Sequence, residues 1–216
     1  MKPILYIETN FAVGIASRQN VAWSKILDEP DSIADLVIPA VCFMEVLSNL
    51  ESVEKKRWGS LRANLTERTK QLRRNLMSMN AALLVRNFEQ SLMLAENLQE
   101  EMQARFEDVL ERICKRVDII GFETDAMIES IQKNYIDSPT DNLILCTILG
   151  HARRNSGRTK AFLSANTDDF KKIEVEDVMN AVGVRYFSRL ENALGWLKSE
   201  QDKDLSQADP DQYPEP

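Results

Sequence analysis

Ile4-Leu5-Tyr6-Ile7-Glu8-Thr9-Asn10 opens the chain with four consecutive apolar residues closed by a carboxylate. A strand with one solvated face alternates apolar and polar residues. An unbroken apolar run suits a strand covered on both faces, as in a parallel sheet. Four more short runs share this character, at 36–38, 117–120, 161–163 and 184–187. Helical patterns separate them, at 10–17, 42–50, 124–135, 139–155, 175–182 and 189–197, and Gly183 is placed to stop the helix before the last strand. Strands alternating with helices predict an α/β domain on a parallel sheet.

The middle of the chain departs from this rhythm. From Val53 to Arg116 there is no proline and one glycine, Gly59. Trp58, Leu61, Leu65, Leu72, Leu76 and Met79 recur at helical spacing, as do Leu84, Phe88, Leu92, Ala95, Leu98, Met102, Phe106, Val109 and Ile113. The spacing predicts two long amphipathic helices forming a hairpin that turns near Asn80, inserted at about 53–116 into a single domain spanning 1–198. Trp58, Leu61, Leu65, Leu76, Phe88, Leu92 and Phe106 are expected to be buried. Residues 199–216 hold six acids, three prolines and few apolar side chains, so they read as a disordered acidic tail.

Composition narrows the chemistry. The 216 residues carry a net charge of −7, but without the tail 26 basic residues face 28 acidic ones, so acidity says little about partners. A hydrophobic content of 44% suits a folded globular chain. No apolar run reaches the length of a membrane span, and the apolar start is too short for a secretory signal, so a cytoplasmic protein is expected. Cys42, Cys114 and Cys146 have no C-x-x-C spacing, and Cys42 and Cys146 are expected to be buried. With His151 the only histidine, a His/Cys zinc site and a Ser-His-Asp triad both lack support; His151 is expected on the surface. Any catalysis is left to carboxylates.

Four points place acids, or an amide in an acid's stead, where a parallel sheet puts its ligands, beyond the carboxyl ends of the strands. They are Glu8 after the first strand, Glu45 one turn into the helix after the second, Asp141 where a helix begins, and Asn166-Thr167-Asp168-Asp169 after the fourth strand. Each has a structural alternative. Glu8 can close a strand, and Glu45 needs a partner in its apolar surroundings. Asp141 can serve a capping box with Ser138 and Pro139. Asp168 and Asp169 can be first-turn acids. Together the four favour a site for hard divalent cations.

In this ordered set the chain resembles the PIN domain family. Tyr6-Ile7-Glu8-Thr9-Asn10-Phe11 is similar to its opening strand and loop, usually Asp-Thr-Asn, and Glu45 to its helix-borne second acid. Ser138-Pro139-Thr140-Asp141-Asn142 is similar to its third acid at a helix start, and Phe162-Leu163-Ser164-Ala165-Asn166-Thr167-Asp168-Asp169-Phe170 to its closing strand and loop. The likeness covers the domain outside the hairpin. Two departures stand out. Glu8 is one methylene longer than the usual Asp, and Asn166 replaces the first Asp of the closing loop, offering a neutral oxygen and leaving Asp168 or Asp169 to be recruited.

The resemblance implies a three-layer α/β/α fold with a five-stranded sheet in order 3-2-1-4-5. It implies a metal-dependent endoribonuclease, in some members the toxin of a toxin–antitoxin pair. Catalytic roles fall to Glu8, Glu45, Asp141, Asn166 and Asp169, with Mg²⁺ or Mn²⁺ held by Glu8, Glu45, Asp141 and Asp168. RNA is the implied substrate, an antitoxin or other protein the implied partner and a homodimer the implied assembly, with no membrane involved. A catalytically degenerate RNA- or protein-binding module, or a small-molecule phosphohydrolase, are the alternatives. The segment 55–74 carries eight basic residues against Glu67, while the second hairpin helix is acidic. These charges either pair across the hairpin or grip RNA phosphates through Lys55, Arg57, Arg68, Arg73 and Arg74.

Overall fold

The computed structural model of the protein describes residues 1–17, 21–29, 33–74 and 77–207, and for residues 21, 49–58 and 204–207 the backbone alone. Five strands, β1 (Ile4–Ile7), β2 (Asp35–Pro39), β3 (Asp118–Ile120), β4 (Lys160–Leu163) and β5 (Val184–Phe187), form one sheet in the order β3-β2-β1-β4-β5. Every pairing is parallel. This is the architecture the alternating pattern and the family resemblance predict. All four residues of the central strand β1 are fully buried, which is why its run is apolar without alternation.

Helices α1 (Thr9–Ala16) and α2 (Val21–Asp28) link β1 to β2. The second was not legible in the sequence pattern. It is fixed by Trp23, which stacks on Phe11 at 5.3 Å and lies over Gly14, where an added Cβ would come within 2.7 Å of the indole. After β3 come α5 (Thr124–Gln132) and α6 (Pro139–Arg154), and after β4 come α7 (Thr167–Phe170) and α8 (Ile173–Ala181). Gly183, at φ 72°, turns the chain from α8 into β5 as expected. The final helix α9 (Leu190–Gln207) runs past residue 198, where the sequence reading ends the folded part, and Gln201 donates to the Ile33 carbonyl at 3.1 Å.

The hairpin differs from its expected form. Helix α3 (Ala40–Arg73) starts directly after β2 and continues unbroken into the hairpin, so the acid-bearing helix and the insertion's first helix are one element. Nothing between Pro39 and Arg73 favours a stop: the segment lacks internal proline, and Gly59 alone is too weak a breaker. Its partner is α4 (Met79–Arg116). Arg62 pairs with Glu96 and Arg73 with Glu89, so the helices run antiparallel. Among the described residues none from 47 to 105 belongs to the main core. The inward stripe of α4 is Ala81, Val85, Phe88, Leu92, Ala95, Gln99, Met102, Phe106, Val109 and Ile113, all buried or half-buried. It alternates steps of four and three, the spacing of a coiled-coil seam. Leu84 and Leu98, part of the helical spacing read in the sequence, flank this seam and are 43% and 41% exposed. Leu61 is also exposed, at 41%, whereas Leu65, Phe88 and Leu92 are half-buried and Phe106 is buried. Leu76 and the Trp58 side chain lie outside the described residues.

Candidate active site

Strand β1 delivers Glu8 to the carboxyl edge of the sheet, where it caps the amino end of α1. The side chain is 4% exposed. The Asn10 backbone N–H donates to Oε2 at 3.1 Å, and the Asn10 amide and the Ser164 hydroxyl donate to Oε1 at 2.8 and 3.0 Å. Burial raises the Glu8 pKa above the usual carboxylate range; these hydrogen bonds oppose the rise and the charge of Asp141 adds to it. Glu8 and Asp141 are therefore close enough to feel each other.

The next residue reaches the second acid. The Thr9 hydroxyl is within hydrogen-bond reach of Glu45 Oε2, and lies 3.4 Å from the Cys42 carbonyl. Cys42 is fully buried, and burial, reinforced by the charges of Glu8 and Glu45, pushes its thiol far above the usual range. A thiol so placed stays protonated at neutral pH and is a poor nucleophile.

Asp141 enters through the cap of α6. Ser138 Oγ accepts from the Asp141 backbone N–H at 3.4 Å, with Pro139 in the first turn, so the capping role expected of this segment coexists with a half-buried carboxylate. The loop before it is fixed by Asn142, which is 2% exposed. Its amide donates to the Ser130 and Lys133 carbonyls and accepts from the N–H groups of Tyr135 and Ile136. Sequence reading gave Asn142 no role, because a single polar residue in an apolar helix has no distinctive spacing.

The fourth point is arranged otherwise than expected. Asn166 donates its amide to Asp169 Oδ2 at 2.9 Å, and Lys172 Nζ lies 3.6 Å from Asp169 Oδ1. Asp168 is exposed and makes no hydrogen bond or ion pair among the described residues. Ser164 is the hub that sequence reading missed. Besides holding Glu8, its hydroxyl accepts from the Asn166 N–H at 3.0 Å, and its carbonyl accepts from the Tyr186 hydroxyl at 3.0 Å. The Tyr186 pKa is pushed up to about 12 by burial and by the charge of Glu8. Its place immediately after a buried strand was the available signal.

Among the described residues no three acidic, thiol or imidazole groups converge on one point, so the acids do not form a closed cage. Among the same residues no ammonium or guanidinium pairs with Glu8, Glu45 or Asp141. Two like charges, one buried, with no cationic partner and only oxygen donors, fit a hard divalent cation. Mg²⁺ keeps several waters and typically takes one or two carboxylates, so it does not require a three-ligand cage.

The basic stripe lies elsewhere. Arg62 and Arg73 face Glu96 and Glu89 at 2.8 and 2.5 Å. Arg68 and Arg74 are exposed with no ion pair among the described residues. The Lys55 and Arg57 side chains lie outside the described residues. At about 1.5 Å per residue, Arg68 is roughly 35 Å along the helix from Glu45. His151, expected on the surface, is half-buried, with Nδ1 2.8 Å from the buried Tyr6 hydroxyl. Tyr6, in the central strand, supplies the partner that draws the imidazole inward.

A sheet of order 3-2-1-4-5 with acids along its carboxyl edge defines a class of α/β proteins, and comparison with known proteins specifies the member. The profile of the family described as PIN domain matches residues 5–170, most of the chain. The chain belongs to the PIN domain family, whose members are generally nucleases. No curated protein matches it. Among solved structures it is similar to a chain of the crystal structure of VapBC2 from Rickettsia felis bound to a DNA fragment from their promoter, with 13% identity, a TM-score of 0.42, and coverage of 86% of this chain and 99% of that one. No helix among the described residues is long and apolar enough to cross a membrane.

Proposed function

We propose that the protein is a Mg²⁺- or Mn²⁺-dependent endoribonuclease. The observation that carries this reading is the buried Glu8 carboxylate, held by Asn10 and Ser164 at the carboxyl edge of the sheet, with no side-chain cation paired to it or to Asp141 among the described residues. Glu8, Glu45 and Asp141 are the residues that hold the ion. Asn10 and Ser164 fix Glu8, and Thr9 orients Glu45, so two of the three carboxylates are positioned before substrate arrives. Once bound, the ion supplies an acidified water and charge neutralisation at the phosphate. A carboxylate of the cluster accepts the proton of the attacking water. The phosphodiester P–O bond breaks as the water oxygen bonds to phosphorus, and the leaving oxygen is protonated from solvent.

RNA is the substrate in this reading because the chain belongs to a family whose members are generally nucleases. A toxin restrained by an antitoxin is the cellular setting that goes with it. A homodimer, and contact of Arg68, Arg73 and Arg74 with distant phosphates of a long RNA, belong to the same reading. The test is cleavage of single-stranded RNA in Mg²⁺ or Mn²⁺ and in EDTA, with a small phosphate monoester in parallel. Metal-dependent RNA cleavage without ester hydrolysis supports the proposal. Ester hydrolysis without RNA cleavage points to a small-molecule phosphohydrolase. A second reading, an RNA- or protein-binding module without catalysis, draws on Asn166 and on the engagement of Asp169 by neighbouring side chains. RNA binding with no cleavage in either metal favours it.

A further inference from the structure

We propose that Lys172 is a built-in counter-ion that withdraws Asp169 from the carboxylates open to a divalent cation, leaving Glu8, Glu45 and Asp141 to hold it. The proposal rests on the metal-dependent reading above and assigns the role of the fourth acidic point. Both oxygens of Asp169 are engaged, Oδ2 by the Asn166 amide at 2.9 Å and Oδ1 by the Lys172 ammonium at 3.6 Å. The same ammonium lies 4.0 Å from Asp137 Oδ2, in the loop that leads into Ser138 and Asp141. Lys172 thus lies between Asp169 and the loop that precedes Asp141.

Its reach is set by anchored backbone. The Lys172 carbonyl accepts from the Val175 and Glu176 N–H groups at 3.0 and 2.9 Å, and Val175 is fully buried. On the other side Phe170, next to Asp169, is fully buried and meets Phe162 edge-on at 4.9 Å. The pair is half-exposed and adds little stability. Its consequence is occupancy: a fixed positive charge beside Asp169 repels a divalent ion from that carboxylate. Asn166 acts in the same direction, since its amide donates a hydrogen bond to Asp169 where an aspartate would contribute a second negative charge.

Mn²⁺ binding to the full chain, followed by titration calorimetry and by the loss of the free-ion electron paramagnetic resonance signal, tests the assignment without measuring activity. Asp141→Asn should weaken binding by at least about tenfold, as loss of metal-site groups commonly does. Lys172→Gln should free Asp169 and tighten binding or add a second ion, and Lys172→Arg should match wild type. The double variant Asp169→Asn with Lys172→Gln, which removes the pair without changing net charge, should also bind as wild type does. Binding by Lys172→Gln that is unchanged, or a double variant weakened as much as Asp141→Asn, overturns the role of Lys172 alone. Failure of wild type to bind Mn²⁺ at millimolar concentration, or undiminished binding by Asp141→Asn, overturns the metal-site reading beneath it.

Discussion

Tyr6 and His151 meet edge-on with ring centroids 5.6 Å apart, and burial, aided by the charge of Arg154, holds the imidazole pKa below its usual value. The unfolded chain therefore takes up the proton first. This contribution to stability is complete above about pH 6.5 and is lost as pH falls through the lower folded-state value. Asp35 and Glu129, whose pKa values are lowered, also lose stability in acid, from the ordinary carboxylate range downward. Urea midpoints should fall between about pH 7 and pH 5 in wild type and stay flatter in His151→Gln; equal slopes in that window would remove His151 from the account. Glu8 has the opposite sign. Its raised pKa means that ionised Glu8 opposes folding, a cost absent below the unfolded value and present as pH rises through the folded one. In EDTA at neutral pH, Glu8→Gln should therefore raise Tm. A thermal melt of the two proteins in EDTA reads this difference. A lower Tm would mean that Asn10 and Ser164 outweigh the burial cost.

At the scale of elements, the outer part of the hairpin packs apart from the sheet, while the last turns of α4 join the main core. Val85 is 7% exposed yet lies outside the main core, whereas Ile113, on the same seam, is fully buried within it. Val85→Asp should open the hairpin to limited proteolysis with little change in the main melting transition. Ile113→Ala should cost about 2–5 kcal/mol of global stability in urea unfolding. Equal global losses would show that hairpin and sheet unfold as one. The hairpin's charges give a second test. Arg73 already pairs with Glu89, while Arg68 and Arg74 have no described partner. If the hairpin binds RNA, neutralising Arg68, Arg73 and Arg74 together should flatten the salt dependence of affinity for a long single strand by up to roughly two to three phosphate contacts. An unchanged slope would confine these charges to pairing across the hairpin.

For the molecule as a whole, the sheet was legible because β1, β2 and β4 are buried on both faces, and burial writes itself as apolar runs. The acidic edge was legible because each acid follows a strand or opens a helix. Among the features that were not, three have clear physical causes. Helix α2 depends on Trp23 filling the space over Gly14, a contact with no local periodicity. The seam of α4 runs through Ala81 and Val85 and leaves the larger Leu84 on its flank, a choice of register that hydrophobicity alone does not rank. The engagement of Asp169 by Lys172 is an i,i+3 pair across the end of a four-residue helix, and the sequence reading, which weighed the acids, gave the lysine beside them no role. The central claim, that the acids of this edge cleave RNA, is tested most directly by comparing wild type with Asp141→Asn, purified identically, on single-stranded RNA in Mn²⁺. Asparagine keeps the shape and the backbone cap, so folding is little affected. The account predicts cleavage by wild type and a loss of at least about a hundredfold in the variant, the scale at which removal of a charge-stabilising catalytic group is felt. Equal cleavage by the two proteins would contradict it.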